Sequence, residues 1–316
     1  MTTPLFHLSL PHSSEGAHLA PLQIALEVLA QIDEWHLRRS LRRAEKGVTD
    51  TVIPPVYAAG VSGQRRLGGN SENWLDVPAA LQQGTAGPED LVAWRVAELR
   101  VSGCRAEPVV WRSPSSKTGG WGMRCAVRMP DGQIEDPPSI LGAGTADGRP
   151  APASVLFHLS LPESADGSHF APLQIALEGL TQIDEWQIRR SLRKAETGRS
   201  GTILPPLYAA GVVYEEEAPG REDWLDAPAV LRAGAADCED LAAWRTAELR
   251  VAGHDVEPVI KWQWLPRDVM IRQGYPAAKL PGKGVWLVHC CVRWPDGTIE
   301  DPSKILGMGG NFTERI

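Results

Sequence analysis

The octapeptide Ala-Pro-Leu-Gln-Ile-Ala-Leu-Glu occupies residues 20–27 and is repeated unchanged at residues 171–178. Its apolar residues have the spacing of one face of an α-helix, and in the second copy this pattern continues through Trp186 and Ile188. The sequence therefore predicts a long amphipathic helix from about Pro172 to Lys194, with a matching helix in the first half of the chain.

The duplication extends well beyond this segment. We predict two tandem repeats, residues 1–143 and 156–316, joined at 144–155 by a linker rich in Gly, Pro and Ala. Three further matches support this division: Leu5–Pro11 with Leu156–Pro162, Gln31–Trp35 with Gln182–Trp186, and Ile134–Pro137 with Ile299–Pro302.

Each repeat shows the same order of predicted elements, here described for the second. A strand at Phe157–Leu161 precedes the long helix, and a second helix runs from about Asp237 to Val251 before Gly253. Strands at Val285–Trp294 and Thr298–Glu300 follow, joined by a Pro-Asp-Gly turn. A helical part followed by an antiparallel sheet predicts the α+β class.

Composition limits the class of partner and the compartment. The 316 residues are 43% hydrophobic and 22% charged, as in ordinary globular proteins, and the net charge of −7 argues against nucleic acid or an anionic membrane as the main partner. The segment Met1–His7 lacks the features of a secretory signal, and no apolar run has membrane-spanning length. The 5 cysteines have no disulfide-framework spacing, so we expect a cytoplasmic protein.

Cys238 has the position of a nucleophile. It lies in residues 234–244, Gly-Ala-Ala-Asp-Cys-Glu-Asp-Leu-Ala-Ala-Trp, at the predicted start of a helix. The positive end of the helix dipole favours a thiolate, so a lowered thiol pKa is expected there. The amide of Cys238 would also point toward a developing oxyanion.

His289 and Asp301 complete a candidate catalytic triad. His289 interrupts the apolar strand segment Trp-Leu-Val-His-Cys-Cys-Val-Arg-Trp at residues 286–294. Asp301 follows the Pro-Asp-Gly turn, so pairing across the hairpin would bring its carboxylate to the His289 ring. His289 would then act as base and later as acid, and Asp301 would orient the ring.

The order Cys, His, Asp on a helix start and two paired strands resembles the transglutaminase-like branch of the papain-type superfamily. The resemblance covers about Tyr208–Gly307 and rests on Gly-Ala-Ala-Asp-Cys-Glu-Asp-Leu, Val-His-Cys-Cys-Val and Asp-Gly-Thr-Ile-Glu-Asp-Pro. It implies transglutaminase-like repeats and thiol-dependent acyl transfer on a protein or peptide substrate. The reaction would be peptide or isopeptide hydrolysis, deamidation or glutamine cross-linking, and it requires no cofactor.

The first repeat serves as an internal control. Pro88 stands in the place of Cys238 and Arg124 in the place of His289, whereas Asp136 matches Asp301. We therefore predict that the first repeat is catalytically inactive. Because the inactive copy keeps the aspartate, a purely structural role for Asp301 in the turn remains open.

An insertion before the His289 strand distinguishes the second repeat. It includes residues 264–267 and 274–276 and could form a wall or lid over the site. Either Trp262 or Gln263 is a candidate second oxyanion donor. The basic residues of this stretch would attract an acidic substrate: Lys261, Arg267, Arg272, Lys279 and Lys283.

Two alternatives stand beside the enzyme. His289 and Cys291 lie two residues apart on a strand and, with Cys238 and Asp301, could bind zinc. Because the chain has no CxxC or HxxxH spacing to support such a site, we expect no bound metal. The other alternative is a non-catalytic transglutaminase-like module for binding or assembly.

Overall fold

A computed structural model describes residues 5–9, 19–48, 52–64, 71–114, 121–143, 154–158, 167, 170–198, 203–217, 223–272 and 283–309. These residues form a mixture of helices and small sheets, in agreement with the α+β class. Contacts divide the chain into two units, Met1–Pro162 with Glu217–Asp226, and Glu163–Glu216 with Ala227–Ile316. Within the described residues, no helix is both long enough and apolar enough to cross a bilayer.

The first unit contains two long helices and an antiparallel sheet with the order β5-β6-β7. The helices α1 and α3 pack on each other, α1 also contacts β5, and α3 contacts β6. The elements are α1 (Leu19–Glu45), α2 (Val77–Gln83), α3 (Pro88–Val101), α4 (Pro137–Ile140), β1 (Leu5–Ser9), β2 (Ser62–Gly63), β3 (Ser71–Leu75), β4 (Thr85–Ala86), β5 (Glu107–Pro114), β6 (Trp121–Arg128), β7 (Ile134–Glu135) and β8 (Ser154–His158).

The strand β8 is placed differently from the prediction. We expected Phe157–Leu161 to be a strand of the second repeat, yet β8 pairs antiparallel with β1 and parallel with β3, all in the first unit. Phe157 is the register partner of both Phe6 and Trp74. The paired strands satisfy one another's backbone N–H and C=O groups. Residues 159–161 of the predicted strand lie outside the described part of the chain.

The second unit contains a three-stranded antiparallel sheet with the order β11-β12-β13 and two long helices that pack on each other. One helix, α5, contacts β11, and the other, α7, contacts β12. The elements are α5 (Ala171–Glu196), α6 (Ala227–Ala233), α7 (Cys238–Val251), α8 (Arg267–Arg272), α9 (Pro302–Ile305), β9 (Val213–Tyr214), β10 (Ala235–Ala236), β11 (Glu257–Pro266), β12 (Gly284–Arg293) and β13 (Ile299–Glu300).

Most of the helix and hairpin predictions for this unit are confirmed. The helix α5 covers the predicted span, and α7 begins at Cys238 and ends at Val251. Gly253 follows with φ 94°, a left-handed conformation that glycine adopts without steric cost. The strands β12 and β13 pair antiparallel across the predicted turn, with Val292 opposite Glu300.

Candidate active site

The start of α7 fixes the position of Cys238. Asp237 has extended backbone angles, and its Oδ1 accepts a hydrogen bond from the Cys238 amide at 2.5 Å. The preceding strand β10 pairs with β9, which holds this junction in place. Cys238 is therefore the first residue of the helix, and its side chain keeps partial exposure to solvent.

The Cys238 thiol has two close neighbours with reactive or charged atoms. Its Sγ donates to Glu239 Oε2 at 3.3 Å. The ligand atoms of Cys238, Glu239 and Cys290 all lie within 4.8 Å of one another. Glu239 and Cys290 are 4% and 2% exposed, so Cys238 is the member of this cluster that solvent reaches most readily.

The electrostatics at Cys238 contradict the expectation of a low thiol pKa. The hydrogen bond with Cys290 and burial raise the pKa of Cys238 well above its ordinary value, and the charges of Glu239 and Asp237 add to the effect. The helix dipole acts in the opposite direction but contributes only about 0.3–1 kcal/mol at an exposed site. Cys238 is therefore a neutral thiol at neutral pH in this conformation.

The backbone amide of Cys238 also has a hydrogen-bond partner. Because it donates to the Asp237 carboxylate, it cannot bind an oxyanion until that contact opens. Sequence reasoning placed this amide at a helix start correctly but did not anticipate that the preceding side chain would accept from it.

His289 and Asp301 come together as the hairpin pairing predicts. His289 Nε2 lies 3.1 Å from Asp301 Oδ2, and the two residues are 2% and 8% exposed. The other carboxylate oxygen of Asp301 accepts from the Lys304 amide at 3.1 Å and so caps α9. Asp301 can therefore orient His289 with Oδ2 and cap α9 with Oδ1 at the same time.

In the first unit the matching residue is Asp136, and the contacts described for it are those of a helix cap. Asp136 Oδ1 accepts from the Ser139 amide at 3.1 Å, and Oδ2 accepts from the Ser139 hydroxyl at 2.7 Å. Serine thus binds the oxygen that in the second unit pairs with His289. The two aspartates thus share the amide contact and differ in the partner of the second carboxylate oxygen.

The alternation of β12 separates the predicted site residues into two clusters. The pairing of β11 with β12 is continuous, so consecutive side chains point to opposite faces of the sheet. Val292 packs with Leu249 of α7, so Cys290 also faces that helix and contacts Cys238. His289 lies on the opposite face.

The second cluster contains His289, Cys291 and Asp301, whose ligand atoms lie within 4.8 Å of one another. All three residues are buried, and burial together with the Asp301 charge raises the pKa of Cys291 to about 12. The structure therefore divides the four residues of the alternative zinc site: His289, Cys291 and Asp301 are together, and Cys238 belongs to the other cluster.

Tyr214 pairs with Ala236 just before the start of α7, and sequence reasoning did not single it out. Burial and the charge of Asp237 raise its pKa, so its hydroxyl stays protonated and able to donate a hydrogen bond. The equivalent position in the first unit is Gly63. The equivalence follows from the strand pairing, since Gly63 of β2 pairs with Ala86 of β4 as Tyr214 of β9 pairs with Ala236 of β10. A comparison of the repeats at this position would have revealed it.

The insertion of the second repeat builds an aromatic cluster. The Phe170 ring stacks on Trp262 at 5.4 Å and meets Trp286 edge-on at 5.5 Å, and Trp286 in turn contacts Trp264 at 5.3 Å. Trp262 pairs with Val288, which places it on the face of the sheet that carries Cys290. Arg267–Arg272 forms α8, and residues 274–276 and Lys279 lie outside the described residues.

Comparisons of the chain with family models, with curated proteins and with solved structures gave no match.

Proposed function

We propose that the second unit is a transglutaminase-like cysteine peptidase or acyltransferase in which Cys238 attacks a carbonyl carbon of a protein or peptide substrate. The observation that carries the proposal is the buried His289–Asp301 pair at 3.1 Å, in a unit whose helix α7 starts with a partly exposed thiol. The first unit has Pro88 and Arg124 in the two reactive positions. The proposal includes tandem transglutaminase-like repeats with an inactive first copy.

The proposed reaction forms and breaks a thioester. The Cys238 proton passes to His289, the sulfur attacks the carbonyl carbon, and His289 returns the proton to the leaving amine. Water or a second amine then attacks the thioester and regenerates the thiol. Asp301 keeps the His289 ring oriented throughout.

The resting geometry adds a conformational step to this scheme. Cys238 contacts Cys290, whereas His289 lies on the other face of β12. Proton transfer thus requires a rearrangement that brings the Cys238 side chain and the His289 ring to the same side of β12, which binding of substrate would drive. The same movement would free the Cys238 amide from Asp237, and the neutral Tyr214 hydroxyl is the proposed second oxyanion donor.

Acyl transfer from an activated ester such as p-nitrophenyl acetate tests the proposal. We expect turnover with an acyl adduct on Cys238, detected by mass spectrometry, and no adduct there in Cys238→Ala. His289→Ala should slow turnover on the order of 10²- to 10⁴-fold, because it removes the general base. His254→Ala is the matched control, since His254 is exposed and packs on Trp294.

Two results would contradict an enzyme. One is the absence of turnover in the intact chain, and the other is an equal rate in the wild type and in His289→Ala. Either would favour the non-catalytic binding or assembly module, in which the His289–Asp301 pair only supports the turn before α9.

A further inference from the structure

We propose that Cys238, Glu239 and Cys290 form a binding site for a thiophilic divalent cation, with Zn²⁺ as the physiological candidate. Two thiols and a carboxylate are ligands that zinc accepts, and three protein ligands leave a fourth position for water. The inference concerns binding, and an ion bound to the Cys238 sulfur would inhibit the proposed acyl transfer until it dissociates.

The geometry needs little adjustment to bind such an ion. The three ligand atoms already lie within 4.8 Å of one another. Around a tetrahedral zinc ion with bonds of about 2.0–2.3 Å, neighbouring ligand atoms are about 3.5–3.8 Å apart. A contraction of at most about 1.3 Å is sufficient, and rotation of the three side chains, including the partly exposed Cys238, can provide it.

The local charge favours a cation. Glu239 is buried beside the Cys238 thiol, and Asp237 lies at the same helix start. These carboxylates place negative charge beside the three ligand atoms. A divalent ion compensates that charge and the charge of the thiolates that it binds. Each thiol loses one proton as its metal–sulfur bond forms, so binding releases two protons.

Access distinguishes this cluster from the second one. Cys238 is partly exposed and offers an entry path for an ion. By contrast, His289, Cys291 and Asp301 are all buried, and the histidine and aspartate already pair with each other.

The first unit provides a natural control. Its Cys125 Sγ approaches Glu89 Oε1 at 3.9 Å, and the matching ligand atoms of Cys290 and Glu239 lie within 4.8 Å of each other. Pro88 occupies the place of Cys238, so this copy has two of the three ligands and lacks the partly exposed thiol.

Titration of the reduced, full-length chain with Cd²⁺ tests the inference, since cadmium bound to thiolates gives an ultraviolet charge-transfer band. We expect one equivalent to saturate this band with release of two protons, and excess Zn²⁺ to remove it. Cys238→Ser and Cys290→Ser should each abolish the band, and Glu239→Gln should weaken binding at least about tenfold. Cys125→Ser and Cys291→Ser should leave it unchanged.

The inference is overturned if the band is absent, if it survives Cys238→Ser, or if Cys291→Ser removes it. The last result would assign the ion to the His289 cluster instead. Because Cys290 is buried, circular dichroism must show that Cys290→Ser is folded. Cys238 is partly exposed, so Cys238→Ser tests metal binding independently of the Cys290 variant.

Discussion

At the scale of single residues, the surroundings of Cys238 change its thiol pKa in the direction opposite to the one that a helix start favours. A helix start alone would favour the thiolate. Here the sulfur donates to Glu239, Cys290 contacts it from β12, and the carboxylate of Asp237 accepts from the Cys238 amide. The net effect of these neighbours and of burial raises the pKa of Cys238, in the direction opposite to the effect of the helix dipole.

This balance predicts slow alkylation of Cys238. With iodoacetamide at neutral pH, Cys238 should react more slowly than a thiol of ordinary pKa, and its rate should rise as the pH increases. Glu239→Gln should accelerate the reaction at a fixed pH, because it removes a negative charge that opposes the thiolate. Peptide mapping by mass spectrometry measures the rate.

Glu89→Gln is the corresponding control in the first unit and should leave the rate at Cys238 unchanged. If Glu239→Gln also leaves the rate unchanged, the Glu239 carboxylate does not control the protonation of Cys238.

At the scale of elements, buried aspartates of the long helices hold the short helices that follow. Asp33 of α1 accepts from the Val77 amide at the start of α2 at 2.8 Å, and Asp184 of α5 accepts from the Ala227 amide at the start of α6 at 2.7 Å. Burial and then the Asp76 charge raise the pKa of Asp33 well above its ordinary value.

A raised aspartate pKa has a definite consequence for stability. The folded first unit binds the Asp33 proton more tightly than the unfolded chain does, so this group favours folding most at low pH. Its contribution is lost as the pH rises above the unfolded pKa of about 4 and through the folded pKa. The unfolding free energy should therefore contain a component that decreases with rising pH.

Asp33→Asn should remove that component, because the amide oxygen can still accept from Val77 but does not titrate in this range. We expect the variant to gain stability relative to the wild type between about pH 5 and pH 8, measured by urea unfolding. Glu45→Gln, an exposed position on α1, is the control. Equal pH slopes in Asp33→Asn and the wild type would exclude Asp33 as the source.

At the scale of the whole molecule, the boundary of the first unit lies beyond the first sequence repeat. The strand β8 lies between β1 and β3 in sheet order, although its sequence begins the second repeat. A fragment comprising residues 1–143 would therefore lack the middle strand of this sheet.

We predict that fragment 1–162 resists thermal unfolding better than fragment 1–143. Without β8, both β1 and β3 lose the backbone hydrogen bonds that β8 supplies. Circular dichroism measures the midpoints, and hydrogen exchange at β1 reports the strand itself. Equal midpoints and equal protection of β1 would show that β8 does not stabilise the first unit.

Sequence reasoning predicted the elements of the second unit well, because they depend on local signals. Apolar spacing located α5, the acidic start and final glycine located α7, and the Pro-Asp-Gly turn located the hairpin of β12 and β13. The hairpin also placed Asp301 beside His289, since pairing across a short turn follows from the sequence alone.

The sequence by itself determined the α+β class, the long helices, the position of Cys238 at a helix start and the pairing of His289 with Asp301. The tertiary structure decided what surrounds each reactive group. Packing between segments far apart in the chain decides which face of β12 contacts α7 and which strands pair with β8. For this reason only the structure showed that Cys238 contacts Cys290 and that its thiol keeps its proton.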